Sequence, residues 1–158
     1  MRHIVGVADY KVASDPGDMI VTHALGSCLG IAAYDPINKV GGLFHVMLPT
    51  ATVNPDKALS NPFMFVDSGL PLFFRELYAR GAEKKNIVVK IAGGAALRAK
   101  RDFFAIGKRN YMIACKLFSK NGIMIQGEDI GGGNSRTMYM ELKTGRVWVA
   151  SGGQETDL

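Results

Sequence analysis

Residues 28–48 read CLGIAAYDPINKVGGLFHVML, and this stretch decides the fold of the chain around it. The four residues DPIN at 35–38 suit a type I turn, because Asp is favoured at its first position and Pro at its second. Short apolar runs with β-branched and aromatic residues lie on either side, at 29–34 and 40–48. The stretch therefore predicts a hairpin of two antiparallel strands.

The turn also predicts which residues of the two strands oppose one another. If Asp35 pairs with Asn38, the residues seven positions farther from the turn on each strand also pair, and these are Cys28 and His45. Directly opposed residues have Cβ atoms about 4.5–5.5 Å apart, which is within reach of a contact between thiol and imidazole. A slip of one residue would send one side chain to the other face, so this predicted pair depends on the turn.

Two interpretations of Cys28 and His45 are open at this point. A free cysteine commonly packs as a small buried hydrophobe. The preceding Gly26-Ser27 instead permits a backbone turn that presents the thiol and its own N–H together, as a nucleophile requires. Thr22 lies six residues before Cys28, and no periodicity fixes its direction because a bend intervenes.

The rest of the chain predicts more strands and two helices. Apolar runs between turn signals bring the number of strands to seven or eight. The strands outside the hairpin are predicted at 4–8, 19–22, 87–92, 123–126, 137–142 and 147–150. Combined with two helices, they indicate an α/β or α+β domain whose sheets need more than the helices to cover them.

The first predicted helix carries an aromatic stripe at helical spacing. Asn61 suits the N-cap and Pro62 the first helical position, and the pattern continues to Gly81. Pro71 lies inside it and removes one backbone donor, so a kink or break is expected near that residue. The stripe predicts a core face of the helix, not a cofactor site.

The second predicted helix begins with Asn110 as its cap and carries Cys115 on its apolar face. Two further segments lack periodic patterns. Residues 50–62 are rich in proline, asparagine and small polar residues and predict a loop. Residues 152–158 are predicted to form a flexible tail.

Length and composition indicate a single domain. With 158 residues, of which 47% are hydrophobic, the chain can form one sizeable core and is short for two. We therefore expect one domain over 1–158. Two cysteines in unlike surroundings, without a secretory segment, favour a reduced cytoplasmic protein. No stretch approaches the roughly 18 apolar residues of a membrane span, so membrane insertion is not expected.

The formal charge of +5 does not select a class of partner. Its basic clusters are short, and aromatic residues are not interleaved with them, so nucleic-acid binding is not expected. These clusters lie at 84–85, 98–101 and 108–109. They are interpreted as solvated faces.

No metal or cofactor is expected from the motifs. The three histidines do not fall at a ligand spacing with each other or with the cysteines. Gly93-Gly94 follows a buried strand, but no Gly-Lys-Ser/Thr comes after it, so a phosphate loop is rejected. Close packing of the backbone against a neighbouring element is the predicted reason for this glycine pair.

Five fragments in order over almost the whole chain carry a resemblance to a known family. They are LGSC at 25–28, HVMLP at 45–49, KIAGGA at 90–95, IGKRN at 106–110 and EDIGG at 128–132. Together they resemble the chemoreceptor glutamine deamidase CheD family of bacterial chemotaxis. The resemblance implies a layered sandwich of mixed β-sheets with outer helices, of the cysteine-hydrolase type.

The resemblance also implies roles for three residues. Cys28 matches the nucleophile, His45 the base, and Thr22 the third member that supports the histidine. The implied substrate is a glutamine side chain in the cytoplasmic region of methyl-accepting chemoreceptors, which becomes glutamate. A CheC-type phosphatase is the implied partner. Two alternatives stay open: a non-catalytic module that binds a chemotaxis phosphatase or receptor, and the same chemistry with an amine as acceptor instead of water.

Overall fold

The fold is described from a computed structural model of the chain, which describes residues 1–97 and 104–158. The basic cluster predicted at 98–101 lies outside the described residues. Ten strands form two five-stranded sheets in this part of the chain. The strands are β1 (Arg2–Val5), β2 (Asp9–Ala13), β3 (Met19–Leu25), β4 (Leu29–Asp35), β5 (Val40–Val46), β6 (Val88–Gly93), β7 (Ile125–Ile130), β8 (Arg136–Glu141), β9 (Val147–Ser151) and β10 (Gln154–Asp157).

Each sheet mixes parallel and antiparallel neighbours. The first sheet has the order β1-β3-β8-β9-β10, in which β1 and β3 are parallel and the other pairs are antiparallel. The second has the order β2-β5-β4-β6-β7, in which only the pair β6 and β7 is parallel. The predicted hairpin of β4 and β5 thus lies at the centre of the second sheet.

The described residues also form three α-helices: α1 (Pro55–Ser60), α2 (Val66–Ala79) and α3 (Ile106–Lys120). The longer two pack on the second sheet, since Phe73 of α2 and Phe118 of α3 share one hydrophobic cluster with Ile31 of β4. A second cluster lies between the two sheets, where Met138 of β8 packs with Leu43 of β5. The layers are therefore helices, second sheet and first sheet, and the predicted sandwich of mixed sheets with outer helices is confirmed.

The register of the central hairpin differs from the prediction. Asp35 pairs with Val40 instead of Asn38, so the connecting loop holds four residues. The Asp35 carboxylate accepts hydrogen bonds from the backbone N–H groups of Ile37 and Asn38, which stabilises this wider loop. Every pair is displaced by two residues as a result, and His45 opposes Gly30. The predicted direct opposition of Cys28 and His45 is wrong.

The helices also depart from the prediction at their starts. Asn61 does cap a helical turn, but that turn is a short 3-10 helix at Pro62–Met64, and α2 begins only at Val66. The helix α2 continues through Pro71 without a break. The segment predicted as a loop at 50–62 contains α1 and a 3-10 turn ahead of it.

The carboxyl-terminal segment forms β10 instead of a flexible tail. Its four residues pair with β9 at the edge of the first sheet, and all four are exposed. Leu158 is held beyond the strand, because its backbone N–H donates to Val147 and its backbone oxygen accepts from the Lys90 ammonium. None of the helices in residues 1–97 and 104–158 has the length and apolar character that crossing a bilayer requires.

Candidate active site

Thr22 and His45 meet between the two sheets. Thr22 lies on β3 of the first sheet and His45 on β5 of the second, and both are fully buried. The Thr22 Oγ1 lies 2.7 Å from Nδ1 of the imidazole. The same hydroxyl donates to the carbonyl oxygen of Val5 at 2.8 Å. The contact arises because the sheets stack face to face, so it joins residues that no single strand pair brings together.

This network assigns the tautomer of His45. A hydroxyl has one hydrogen, and the Val5 carbonyl can only accept it. Thr22 Oγ1 must then accept from Nδ1–H of His45, which leaves Nε2 as the unprotonated nitrogen. The imidazole therefore presents a lone pair at Nε2.

Burial keeps that imidazole neutral. It lowers the pKa of His45 from its ordinary 6.5 to about 4, because the protonated ring would be desolvated. Nε2 is buried and has no hydrogen-bond partner in the described part of the chain. A neutral ring with a free Nε2 lone pair is the state that a general base needs.

Cys28 lies in the bend between β3 and β4, one residue before the latter begins. It is half-buried, and its position is two residues from Gly30, which opposes His45. No hydrogen bond joins its sulfur to the imidazole within the described residues. Burial raises the pKa of the Cys28 thiol, and a hydrogen bond from its own backbone N–H offsets this only in part. The Cys28 thiol and the His45 imidazole are thus both neutral at rest.

The carbonyl groups of residues 26–28, which we name the cysteine loop, are all held by hydrogen bonds. Gly26 O accepts from the backbone N–H of Ala95 at 2.8 Å, and Cys28 O accepts from that of Gly94 at 2.9 Å. The carbonyl of Ser27 accepts from the side-chain amide of Asn110 at 3.0 Å. The loop is therefore fixed by the two residues that follow β6 and by one side chain of α3.

Gly93, the first residue of the glycine pair, packs closely against the backbone of the cysteine loop. Its backbone φ is +107°, and a Cβ added there would collide with the carbonyl oxygen of Cys28. Only glycine combines this φ with so close an approach. The prediction of close backbone packing at Gly93-Gly94 is confirmed.

Replacing Gly93 with alanine is expected to lower the free energy of unfolding by about 2–4 kcal/mol, through backbone strain and overlap with the cysteine loop. Urea denaturation followed by circular dichroism measures the change. Gly6→Ala is the matched control, because an added Cβ there meets nothing within 4 Å. We expect the control to stay within about 0.5 kcal/mol of the wild type. Equal stability of both variants would contradict the tight approach at Gly93.

Asn110 is a residue whose role the sequence prediction missed. It was predicted as the cap of the second helix, but α3 begins at Ile106 and places Asn110 inside it, fully buried. Its Nδ2 donates to the carbonyls of Ser27 and Met47, at 3.0 and 3.1 Å. Its Oδ1 is buried without a partner among residues 1–97 and 104–158, and a buried polar atom left unpaired typically costs about 1–3 kcal/mol. One sequence signal could have placed Asn110 inside the helix. It lies four residues before Ala114, which is also buried, and residues at this spacing share one face of a helix.

A two-sheet sandwich with a buried Thr–His pair and a cysteine in a tightly held loop fits the class of cysteine hydrolases. Comparison with known sequences then gives the family. The sequence model described as "CheD chemotactic sensory transduction" matches residues 47–151. The chain belongs to the CheD family. The matched range begins two residues after His45.

Relatives from distant organisms are similar over nearly the full chain. A protein of Syntrophus aciditrophicus, named "Probable chemoreceptor glutamine deamidase CheD 1", is 49% identical over 150 residues, covering 95% of this chain and 94% of the relative. A relative named as a CheD deamidase in Solibacter usitatus is 42% identical, with 98% and 92% covered. One in Pyrococcus abyssi is 42% identical, with 95% and 93% covered.

Proposed function

We propose that this protein is a chemoreceptor glutamine deamidase, which converts glutamine side chains of methyl-accepting chemoreceptors to glutamate. The names of its relatives and its family membership support the substrate. The observation that carries the chemistry is the hydrogen bond between Thr22 and His45, since it leaves Nε2 free to act as a base. Water is the second substrate, and ammonia is the second product.

In the first step, His45 Nε2 takes the proton of the Cys28 thiol as the sulfur attacks the carboxamide carbon of glutamine. A general base is needed because burial raises the pKa of the thiol, so little thiolate is present at rest. The C–S bond forms, and the carbonyl π electrons move to oxygen. The backbone N–H of Cys28 is our candidate donor to this oxyanion.

In the second step, the tetrahedral species collapses to a thioester. The imidazolium gives its proton to the departing nitrogen, and ammonia leaves as the C–N bond breaks. His45 then takes a proton from water, whose oxygen attacks the thioester carbon. The C–S bond breaks, the sulfur regains a proton, and the side chain is released as glutamate. Thr22 keeps the ring oriented throughout, through its bond to Nδ1.

The substrate implies where the protein works. The glutamines that the resemblance points to lie in the cytoplasmic region of the receptor, so we place the enzyme in the cytoplasm. A CheC-type phosphatase is the proposed second partner, on the same resemblance. Co-elution of the two purified proteins in size-exclusion chromatography tests that partner independently of catalysis.

The deamidase proposal is tested by mass spectrometry of a purified chemoreceptor cytoplasmic fragment, incubated with and without the protein. We expect specific glutamines to become glutamate, with ammonia released in equal amount. A fragment shown to bind the protein but left unmodified would refute the proposal for this substrate. An added amine that became attached to glutamine would instead indicate transfer to an amine in place of water.

Thr22→Val is expected to lower kcat/KM about 10- to 100-fold. Valine has a similar shape but cannot accept from Nδ1–H, so the ring loses its fixed tautomer and orientation. The loss is smaller than for a triad aspartate, because a hydroxyl carries no charge. Initial rates of ammonia release measure the effect, with Thr22→Ser as the control that retains the oxygen. Equal rates for the valine and serine variants would contradict this role of Thr22.

A further inference from the structure

The cysteine loop and the strand that carries His45 are joined by one side chain. Asn110 projects from α3, and its two amide hydrogens go to Ser27 O, next to Cys28, and to Met47 O, two residues after His45. The other two carbonyls of the loop are held by backbone donors at the end of β6. Asn110 is therefore the one side chain, among the hydrogen bonds described, that ties both segments together.

The orientation of this amide follows from its partners. Both contacts are carbonyl oxygens, which can only accept, so the nitrogen must face them and a flipped amide would set oxygen against oxygen. Oδ1 consequently stays buried without a donor in the described part of the chain. A buried acceptor without a partner destabilises the fold. Such a cost at a site between two reacting groups points to a constraint from function.

We propose that Asn110 is a positioning residue of the deamidase, which sets the cysteine loop against the strand of His45. This inference rests on the proposed function of Cys28 and His45. The Asn110 amide contacts neither the thiol nor the imidazole by any described hydrogen bond, so it acts through the backbone. Because the register places Cys28 two residues from the position opposite His45, the strand pairing alone does not align the two groups. The two hydrogen bonds donated by Asn110 supply that alignment.

Asn110→Ala is expected to lower kcat about 10- to 100-fold while KM stays within about threefold, because misplacement of reacting groups by about 1 Å costs on the order of 10²-fold. The stability control is Phe118→Leu, which reduces core packing of the same helix α3 about two turns beyond Asn110. We expect that variant to lose thermal stability but keep kcat. Asn110→Ser is the second variant should alanine fail to fold, since serine is too short to reach both carbonyls.

Hydrogen exchange followed by mass spectrometry gives a readout without substrate. We expect faster exchange in Asn110→Ala within peptides covering 24–29 and 44–49, with residues 111–120 of α3 unchanged. Unchanged exchange in either peptide, or a kcat within threefold of wild type, would overturn the proposal. So would a loss of kcat in Phe118→Leu equal to that in Asn110→Ala. If the wild type converts no receptor glutamine, the proposed function fails, while the exchange comparison still decides whether Asn110 couples the two segments.

Discussion

Cys28→Ala is expected to lower the rate of glutamine deamidation by about 10⁴-fold or more, which in practice abolishes turnover. Removing the nucleophile of a covalent mechanism leaves only the binding and oxyanion contributions, and comparable losses in hydrolases reach about 10⁶-fold. The thiol lies in the cysteine loop, whose three carbonyls are held by Ala95, Gly94 and Asn110. Ammonia release from a receptor fragment measures the rate.

Cys115→Ala is the matched control, because it removes the other free thiol of the chain. Cys115 lies in the middle of α3, half-buried and outside the site, so we expect wild-type turnover. Retention of activity in Cys28→Ala would contradict the thioester mechanism. The rate of alkylation of Cys28 does not distinguish a deamidase from a non-catalytic binding module. Burial raises the pKa of the Cys28 thiol, so even a catalytic thiol at this position reacts slowly at rest.

The central hairpin could be predicted from sequence, but its register could not. Apolar runs and a turn signal identify β4 and β5, because strand periodicity is a local property. The length of the turn depends on hydrogen bonds that the Asp35 carboxylate makes in the fold and on Lys39, whose φ is +57°. Lysine gives no sequence signal for that conformation. A turn two residues wider displaced Cys28 from the position opposite His45.

The partner of His45 could not be found by local patterns for a different reason. Thr22 reaches the imidazole because β3 of one sheet stacks on β5 of the other. Periodicity within a strand shows which of its faces is buried, but not which residue of the other sheet that face contacts. Only the resemblance to a family singled out Thr22. The edge strand β10 was missed because all its residues are exposed, so it carries no apolar alternation.

His45→Ala is expected to lower kcat/KM by about 10³-fold, within the range of about 10²–10⁴ that a positioned general base contributes. The thiol pKa is raised by burial, so without the imidazole the nucleophile must lose its proton to water. His45→Gln is the second variant, since it fills the space and can still contact Thr22 but cannot act as a base. Both variants should lose activity alike.

The pH dependence of kcat/KM identifies the base. Activity requires neutral His45, so it falls as the pH drops through the pKa of the free enzyme's imidazole. Burial lowers that pKa from 6.5 to about 4, so the acid limb of the wild type is expected near pH 4, and activity at pH 6 should be almost full. Asp9 of β2 lies opposite His45 of β5, but its side chain is exposed. Burial, and not this carboxylate, is the cause of the lowered pKa of His45. An acid limb near 6.5 would show that the imidazole is solvated or paired with a charge in the working enzyme, which would contradict the lowering of its pKa by burial.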